Sequence, residues 1–102
     1  MKFKNKIKFS IIVVSLNTKK LFLKTINSIL KQKYKNFEII VVDGKSTDGT
    51  QNIILSKKKY FSKYLIEKDK GIYHAMNKGI VLSKGEWIIF MNSGDIFINK
   101  FV

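Results

Sequence analysis

At 102 residues, the chain is long enough for one domain only. It has no cysteine, so disulfides and thiolate metal sites are excluded. Its net charge of +13 comes from 20 lysines without an arginine. Because base and phosphate recognition depends on the arginine fork, we expect no nucleic-acid partner, while contact with an anionic membrane stays open. No apolar run approaches the roughly 18 residues of a membrane span.

The first half of the chain predicts two strands, each followed by a helix. Residues 1–8 form a basic lead-in, and Phe9–Ser15 reads as a buried strand. Asn17 or Thr18 can cap the first helix, whose apolar residues recur at helical spacing: Phe22, Ile26, Ile29 and Leu30, with Lys31 and Lys33 in the last turn. The second strand is Phe37–Asp43, and a second helix begins near Asp48 or Thr50.

The second half repeats this alternation. Tyr64–Glu67 is a short third strand, and Ile72–Leu82 is a helix with Gly79 as an internal weak point. Glu86–Met91 is the fourth strand, in which we expect Trp87 and Phe90 to pack in the core.

This order of elements predicts an α/β fold with a Rossmann-like parallel sheet, strand order 3-2-1-4 and helices on both faces. The winding direction then reverses between strands 1 and 4, where parallel sheets bind ligands. The segments that flank this crevice are residues 15–18 and 92–95.

Two carboxylates follow strand ends and converge on the predicted crevice. Asp43 ends the second strand and Asp95 follows the fourth, so both are candidate ligand-binding residues. The alternatives are a turn-forming role for Asp43 and a cap of a following helix for Asp95. Asp48 is expected to cap the second helix.

Two other nucleotide-binding motifs are excluded. Gly44-Lys45-Ser46 matches the end of a P-loop, but no glycine stands five positions before Gly44. No GxGxxG sequence is present, which disfavours a dinucleotide enzyme. His74, the sole histidine, is expected on a helix surface.

Four sequence blocks carry a resemblance to a known family. They are FSIIVVSLN at 9–17, VDGKSTDGT at 42–50, EKDKGIYHAMNKGI at 67–80 and GEWIIFMNSGD at 85–95. Together they resemble the N-terminal nucleotide-binding half of a family 2 glycosyltransferase with the GT-A fold. The third block resembles the branch that builds bacterial surface polysaccharides.

The resemblance implies roles for individual residues. It implies that Asp43 accepts the N3–H of uracil, and that a cation, Mg²⁺ or Mn²⁺, holds the diphosphate at the end of the fourth strand. The implied nucleotide-binding residues are Ser15, Asn17, Thr18, Asp43, Asp69, Gly71 and Asn77, and the implied metal ligands are Asp95 and Asn92.

Four positions depart from the family pattern. Asn92 replaces the first acid of the DxD-type motif, and Gly94 precedes Asp95 where many members have a second acid. His74 stands where close relatives often have Asp, and Met76 where broader relatives often have Arg. Without that Arg, the positive charge beside the phosphates would be supplied by a lysine, Lys70 or Lys78.

The implied function is transfer of a sugar from a nucleotide-sugar donor, a UDP-sugar, to a glycan or lipid-linked acceptor in surface polysaccharide synthesis. Residues 9–102 are then a donor-binding half-domain truncated before the acceptor region, with the catalytic base beyond Val102. The alternative is a non-catalytic remnant that binds nucleotide or an anionic surface. The expected location is cytoplasmic, which the lack of cysteine fits without requiring it, with a peripheral position at the inner face of the membrane left open.

Overall fold

A computed structural model describes residues 6–96 of the chain, so the lead-in before Lys6 and the segment after Ile96 lie outside the description. The elements in order are β1 (Phe9–Ser15), α1 (Lys19–Leu30), β2 (Phe37–Asp43), α2 (Thr50–Ser56), a 3₁₀ turn (Lys58–Tyr60), β3 (Lys63–Ile66), α3 (Ile72–Leu82) and β4 (Trp87–Asn92). β3 starts one residue before its predicted position and β4 one residue after it. None of the helices within these residues has the length and apolar character that crossing a bilayer requires.

The four strands form one parallel sheet in the order β3-β2-β1-β4, which confirms the predicted topology. β1 and β2 are buried on both faces because each is an almost continuous apolar run. In the register of the sheet, Ser15 lies opposite Asp43 and Val14 lies opposite Asn92. The carboxyl ends of β1, β2 and β4 therefore meet at one edge.

The core has two halves, one on each face of the sheet. Ile11 and Val13 point to the face covered by α1 and α2, where Phe22 and Ile26 are fully buried. Ile12 and Val14 point to the other face, where α3 packs. Successive residues of β1 thus serve both layers, as strand geometry requires.

Gly79 lets α3 approach β1 closely. A Cβ atom at this position would collide with Cγ2 of Ile12. The residue that the sequence marks as a weak point of the helix is therefore a packing requirement.

The prediction that Trp87 and Phe90 pack in the core is wrong. Trp87 is 60% exposed and Phe90 is 40% exposed. β4 is an edge strand, and α3 packs mainly against β1 and β2. Only the β4 side chains that point towards α1, such as Met91, join the core.

Candidate functional site

A cleft of about 250 Å³ opens at the carboxyl ends of β1 and β4, where the sheet changes its direction of winding. Four of the predicted nucleotide-binding residues line it, together with one of the two predicted metal ligands. The lining residues are Val14, Ser15, Leu16, Thr18, Asp69, Gly71, Ile72, Asn92 and Ser93. The predicted crevice is present at the predicted place.

Asp43 lies behind this lining and is fully buried. Its Oδ1 accepts hydrogen bonds from the hydroxyls of Ser15 (2.7 Å) and Ser46 (2.6 Å), and its Oδ2 accepts one from the backbone N–H of Ser46 (2.7 Å). The carboxylate therefore ties the end of β1 to the loop after β2. In this arrangement it does not present a free oxygen to the cleft.

Asn17 also serves the contact between these two loops. It adopts a positive φ of 52°, a conformation that Asn tolerates better than most residues. Its backbone N–H donates to the Ser46 hydroxyl (2.8 Å), and its side-chain oxygen accepts from the Thr47 N–H (2.8 Å). Asn17 therefore supports the wall of the cleft and is not among the residues that line it.

Asp48 serves the starts of two helices. Its Oδ2 accepts the backbone N–H of Lys19 (3.0 Å), and its Oδ1 accepts the N–H of Thr50 (3.1 Å). The hydrogen bond from the Thr50 hydroxyl, together with these backbone bonds, lowers the pKa of Asp48 below its ordinary value, although burial acts in the opposite direction. The predicted cap of α2 is thus present, but α1 receives its cap from Asp48 and not from the Asn17 or Thr18 side chain.

Thr18 contributes a polar atom without a partner to the cleft. Its Oγ1 is buried and makes no hydrogen bond with any residue in the described part of the chain. Buried hydroxyls nearly always find a partner, so an orphaned one that lines a cleft is available to a ligand.

Asp69 and Gly71 form a turn on the opposite wall. Oδ1 of Asp69 accepts the N–H of Gly71 (3.1 Å), and Nδ1 of His74 accepts the N–H of Lys70 (2.8 Å). A Cβ at Gly44 would lie 3.0 Å from Oδ2 of Asp69, so this glycine leaves room for the carboxylate.

Two predicted candidates on α3 lie away from the cleft. Asn77 is exposed and is not among the lining residues. The ammonium of Lys78 pairs with Glu67 (2.8 Å) and donates to the carbonyl of Lys68 (2.9 Å), so it fastens the loop before α3.

Asn92 and Asp95 form a tight turn after β4. Oδ2 of Asp95 accepts the N–H of Asn92 (2.8 Å), and the hydroxyl of Thr25 fixes the turn by donating to the Asp95 carbonyl (2.7 Å) and accepting from Gly94 N–H (2.7 Å). A second groove of about 240 Å³ reaches both residues from between α3 and β4. The alternative role for Asp95, a cap of a following helix, concerns residues outside the described part of the chain.

The donor set at this turn fits a weakly held cation. Within residues 6–96 no three His, Cys, Asp or Glu side chains group into a metal site, and this turn offers the carboxylate of Asp95 and the amide oxygen of Asn92. Mg²⁺ commonly binds through one or two carboxylates, waters and substrate phosphates. Asp95 and Asn92 suit a cation that a diphosphate holds in large part.

Two residues of the site were not singled out by sequence analysis: Ile72, which gives the cleft an apolar wall, and Ser46, which links Asp43 to Asn17. Leu16, which forms another apolar wall, lies in the segment 15–18 that was expected to flank the crevice. Ile72 begins α3 directly after the predicted residue Gly71, so its position was available as a signal. The bonds of Ser46 depend on contacts between loops and have no local sequence signal.

The comparisons with known proteins agree with this geometry. The sequence model of the family described as "Glycosyl transferase family 2" matches residues 10–101. The Escherichia coli protein named UDP-Glc:alpha-D-GlcNAc-diphosphoundecaprenol beta-1,3-glucosyltransferase WfaP is 38% identical over 92 residues, which cover 87% of this chain and 36% of the relative. Across curated relatives of 37% and 38% identity, the chain spans 35% to 36% of their length.

Two solved structures share the fold. The crystal structure of S. aureus TarS residues 1–349 in complex with UDP-GlcNAc has a TM-score of 0.78 and 30% identity, covering 88% of this chain and 27% of that one. The mannosyltransferase PcManGT from Pyrobaculum calidifontis, in complex with GDP-Man and Mn²⁺, has a TM-score of 0.81. At 22% identity over 93% of this chain and 30% of its own, PcManGT supports the fold alone.

Proposed function

Because the chain belongs to glycosyltransferase family 2, we propose that it forms the donor-binding part of an enzyme that transfers a sugar from a UDP-sugar to a glycan or lipid-linked acceptor in surface polysaccharide synthesis. TarS, which resembles it at 30% identity, carries UDP-GlcNAc in its structure. The name of WfaP, the relative at 38% identity, includes a UDP-sugar and a lipid diphosphate. Both support a UDP-sugar donor, and the second supports a lipid-linked acceptor.

The observation that carries the proposal is the cleft at the switch point of the sheet, with the orphaned Thr18 hydroxyl in its wall. We assign Ser15 and Thr18 to the nucleoside, between the apolar side chains of Leu16 and Ile72. Asp69 and the turn at Gly71 close over it from the other side. A mostly apolar cleft with a few convergent polar groups is the usual form of a small-molecule site.

Asp43 and Asn17 serve this site from behind its surface. Since the Asp43 carboxylate is fully buried and bound to Ser15 and Ser46, we assign it to positioning the loops and not to the uracil N3–H. Asn17 has the same role through Ser46 and Thr47. Asn77 is exposed outside the lining, and we leave it out of the proposed site.

Asn92 and Asp95 would hold Mg²⁺ or Mn²⁺ together with the diphosphate. Such a cation neutralises the charge that develops on the departing nucleoside diphosphate. The chain's own contribution is a carboxylate that accepts the Asn92 N–H, on a turn that the Thr25 hydroxyl holds through the backbone carbonyl of Asp95. We place the catalytic base in the part of the relatives' length that this chain does not span.

Isothermal titration with UDP tests the proposal through Thr18→Val, which removes the hydroxyl and keeps the shape of the side chain. Losing one hydrogen bond costs about 0.5–1.5 kcal/mol, so we expect UDP to bind roughly 2- to 10-fold more weakly. Ser56→Ala is the control, because Ser56 is exposed at the end of α2, bonds to the carbonyl of Ile53 and does not line the cleft.

Unchanged UDP affinity of Thr18→Val would remove Thr18 from the site. If the wild-type chain bound neither UDP nor UDP-GlcNAc at millimolar concentration, the donor-binding proposal itself would fail.

A further inference from the structure

The surface opposite the cleft is formed by four segments that precede the strands. These are residues 6–8, 31–36, 57–62 and 83–86, and together they make up what we call the amino face. Because all four strands run in the same direction, these segments meet at the amino edge of the sheet.

Hydrogen bonds hold the amino face together. The N–H of Trp87 donates to the carbonyl of Lys8 (2.9 Å), and the N–H of Phe9 donates to the carbonyl of Asn36 (3.3 Å). Glu38, buried at the start of β2, accepts the hydroxyl of Ser62 (2.7 Å) and the N–H of Lys84 (2.7 Å). The four segments therefore form one continuous, fixed surface.

The charge of the described residues is concentrated on the amino face. Segments 31–36 and 57–62 carry three lysines each, segment 6–8 carries two, and segment 83–86 carries Lys84 with Glu86 as the one acid. That acid is already paired, because its carboxylate lies 3.4 Å from the Lys6 ammonium and 3.6 Å from that of Lys8.

The loops at the cleft end carry slightly more acidic residues than lysines. Segments 16–18, 44–49, 67–71 and 93–96 carry three lysines against four acids. A chain that is rich in lysine for compositional reasons alone would place its lysines at both ends alike. The positive charge of the described loops is therefore concentrated at the amino edge of the sheet.

Exposed aromatic rings lie among these lysines. Tyr34 is 42% exposed, Tyr60 is 46% exposed and Trp87, the first residue of β4, is 60% exposed. The ammonium groups of Lys57 and Lys59 lie 6.0 and 5.1 Å from the centre of the Tyr60 ring. Trp and Tyr favour the headgroup level of a bilayer, where one end of the ring is apolar and the other is wet.

We propose that the amino face binds the surface of an anionic lipid bilayer. Lysines act as point charges that respond to the field of an anionic leaflet without precise geometry, whereas nucleic-acid recognition relies on the arginine fork that this chain lacks.

The sole tryptophan of the chain reports on the proposed contact directly. On phosphatidylglycerol-containing vesicles, the emission of Trp87 should shift to the blue and become protected from an aqueous quencher, and high salt should reverse both effects. Pure phosphatidylcholine vesicles and inorganic phosphate should cause neither change. An unchanged spectrum on anionic vesicles at low salt would overturn the proposal.

A pair of charge-matched variants tests which face is used. The amino-face variant carries Lys57→Gln, Lys58→Gln and Lys59→Gln; the control carries Lys45→Gln, Lys68→Gln and Lys70→Gln at the cleft end. We expect vesicle sedimentation of the first variant to weaken on the order of a hundredfold and the control to stay within about threefold of wild type, since only lysines close to the surface contribute.

Equal losses in the two variants would show an unspecific effect of net charge and would contradict the proposal. The proposal would also be contradicted if single-stranded RNA bound the wild type tightly and the amino-face variant weakly, while the wild type did not bind the vesicles. Circular dichroism checks that both variants fold, and the wild-type fluorescence result stands independently of them.

Discussion

Asp43 receives three hydrogen bonds, and its two oxygens join the end of β1 to the loop that follows β2. Because the side chain is fully buried, each bond is made in a medium where an unpaired partner is costly. The residue therefore fixes the relative position of Ser15 and Ser46. We therefore expect its effect on a ligand to pass through the loops that it holds.

Ser46→Ala separates positioning from direct contact. The substitution keeps the Asp43 carboxylate but removes the hydroxyl that binds both Asp43 and the N–H of Asn17. If Asp43 acts by positioning, UDP affinity should fall roughly 5- to 10-fold and the free energy of unfolding by about 1–2 kcal/mol, much as in Asp43→Asn. Titration calorimetry and urea unfolding measure the two effects.

Ser56→Ala is the matched control, since the exposed Ser56 bonds to the carbonyl of Ile53 on α2, away from the cleft. Wild-type affinity in Ser46→Ala together with abolished binding in Asp43→Asn would point to a direct contact between Asp43 and the nucleotide.

At this scale, the strand ends and the family resemblance indicated several residues near the cleft, but not which of them face it. Ser15, Thr18 and Asp69 line the cleft as predicted. Asn17 does not, because its positive φ places its side-chain oxygen on the Thr47 N–H. That conformation depends on the neighbouring loop, which lies 30 positions further along the chain.

At the scale of whole elements, Glu38 links parts of the chain that are far apart in sequence. Its carboxylate accepts the hydroxyls of Ser10 on β1 (2.6 Å) and Ser62 before β3 (2.7 Å), and the N–H of Lys84 before β4 (2.7 Å). Burial alone would raise the pKa of Glu38, but these bonds outweigh it and hold the pKa below the ordinary value of 4.5.

This lowered pKa predicts acid sensitivity. A carboxyl group whose pKa is lower in the folded state stabilises the protein above its unfolded pKa, and that contribution is lost as the pH falls through the folded value. Glu38→Gln should therefore lower the free energy of unfolding at neutral pH by about 1–3 kcal/mol and lose less stability than wild type below pH 4.5.

Urea unfolding at a series of pH values measures the effect of Glu38. Glu86→Gln serves as control, because its partially exposed ion pairs with Lys6 and Lys8 contribute little to stability. A Glu38→Gln curve parallel to that of wild type at every pH would contradict the role given to this carboxylate.

The elements and their order were predictable because continuous apolar runs separated by helical patterns leave few alternatives for a parallel sheet. The function of Gly79 was not, because the need for a glycine comes from Ile12, a residue on another element. The exposure of Trp87 and Phe90 was not predictable either, since an apolar edge strand and a central strand have the same local pattern.

At the scale of the whole molecule, the parallel sheet gives the chain two different ends. The carboxyl edge carries the cleft, with nearly balanced charge in its loops, and the amino edge carries nine lysines and three exposed aromatic rings. A sheet whose strands all run one way separates the two sets of loops by the length of a strand. The proposed nucleotide site and the proposed membrane-binding face therefore lie at separate ends of the sheet.

Mapping UDP onto the chain by amide chemical shifts tests the central claim, that the nucleotide binds at the switch point between β1 and β4. Titration of labelled wild-type protein should move the amides of the cleft residues Leu16, Thr18, Gly71 and Ser93. The amides of the amino-face residues Lys35, Lys58 and Lys84 should stay in place. Shifts confined to the amino face, or none at millimolar UDP, would contradict the account.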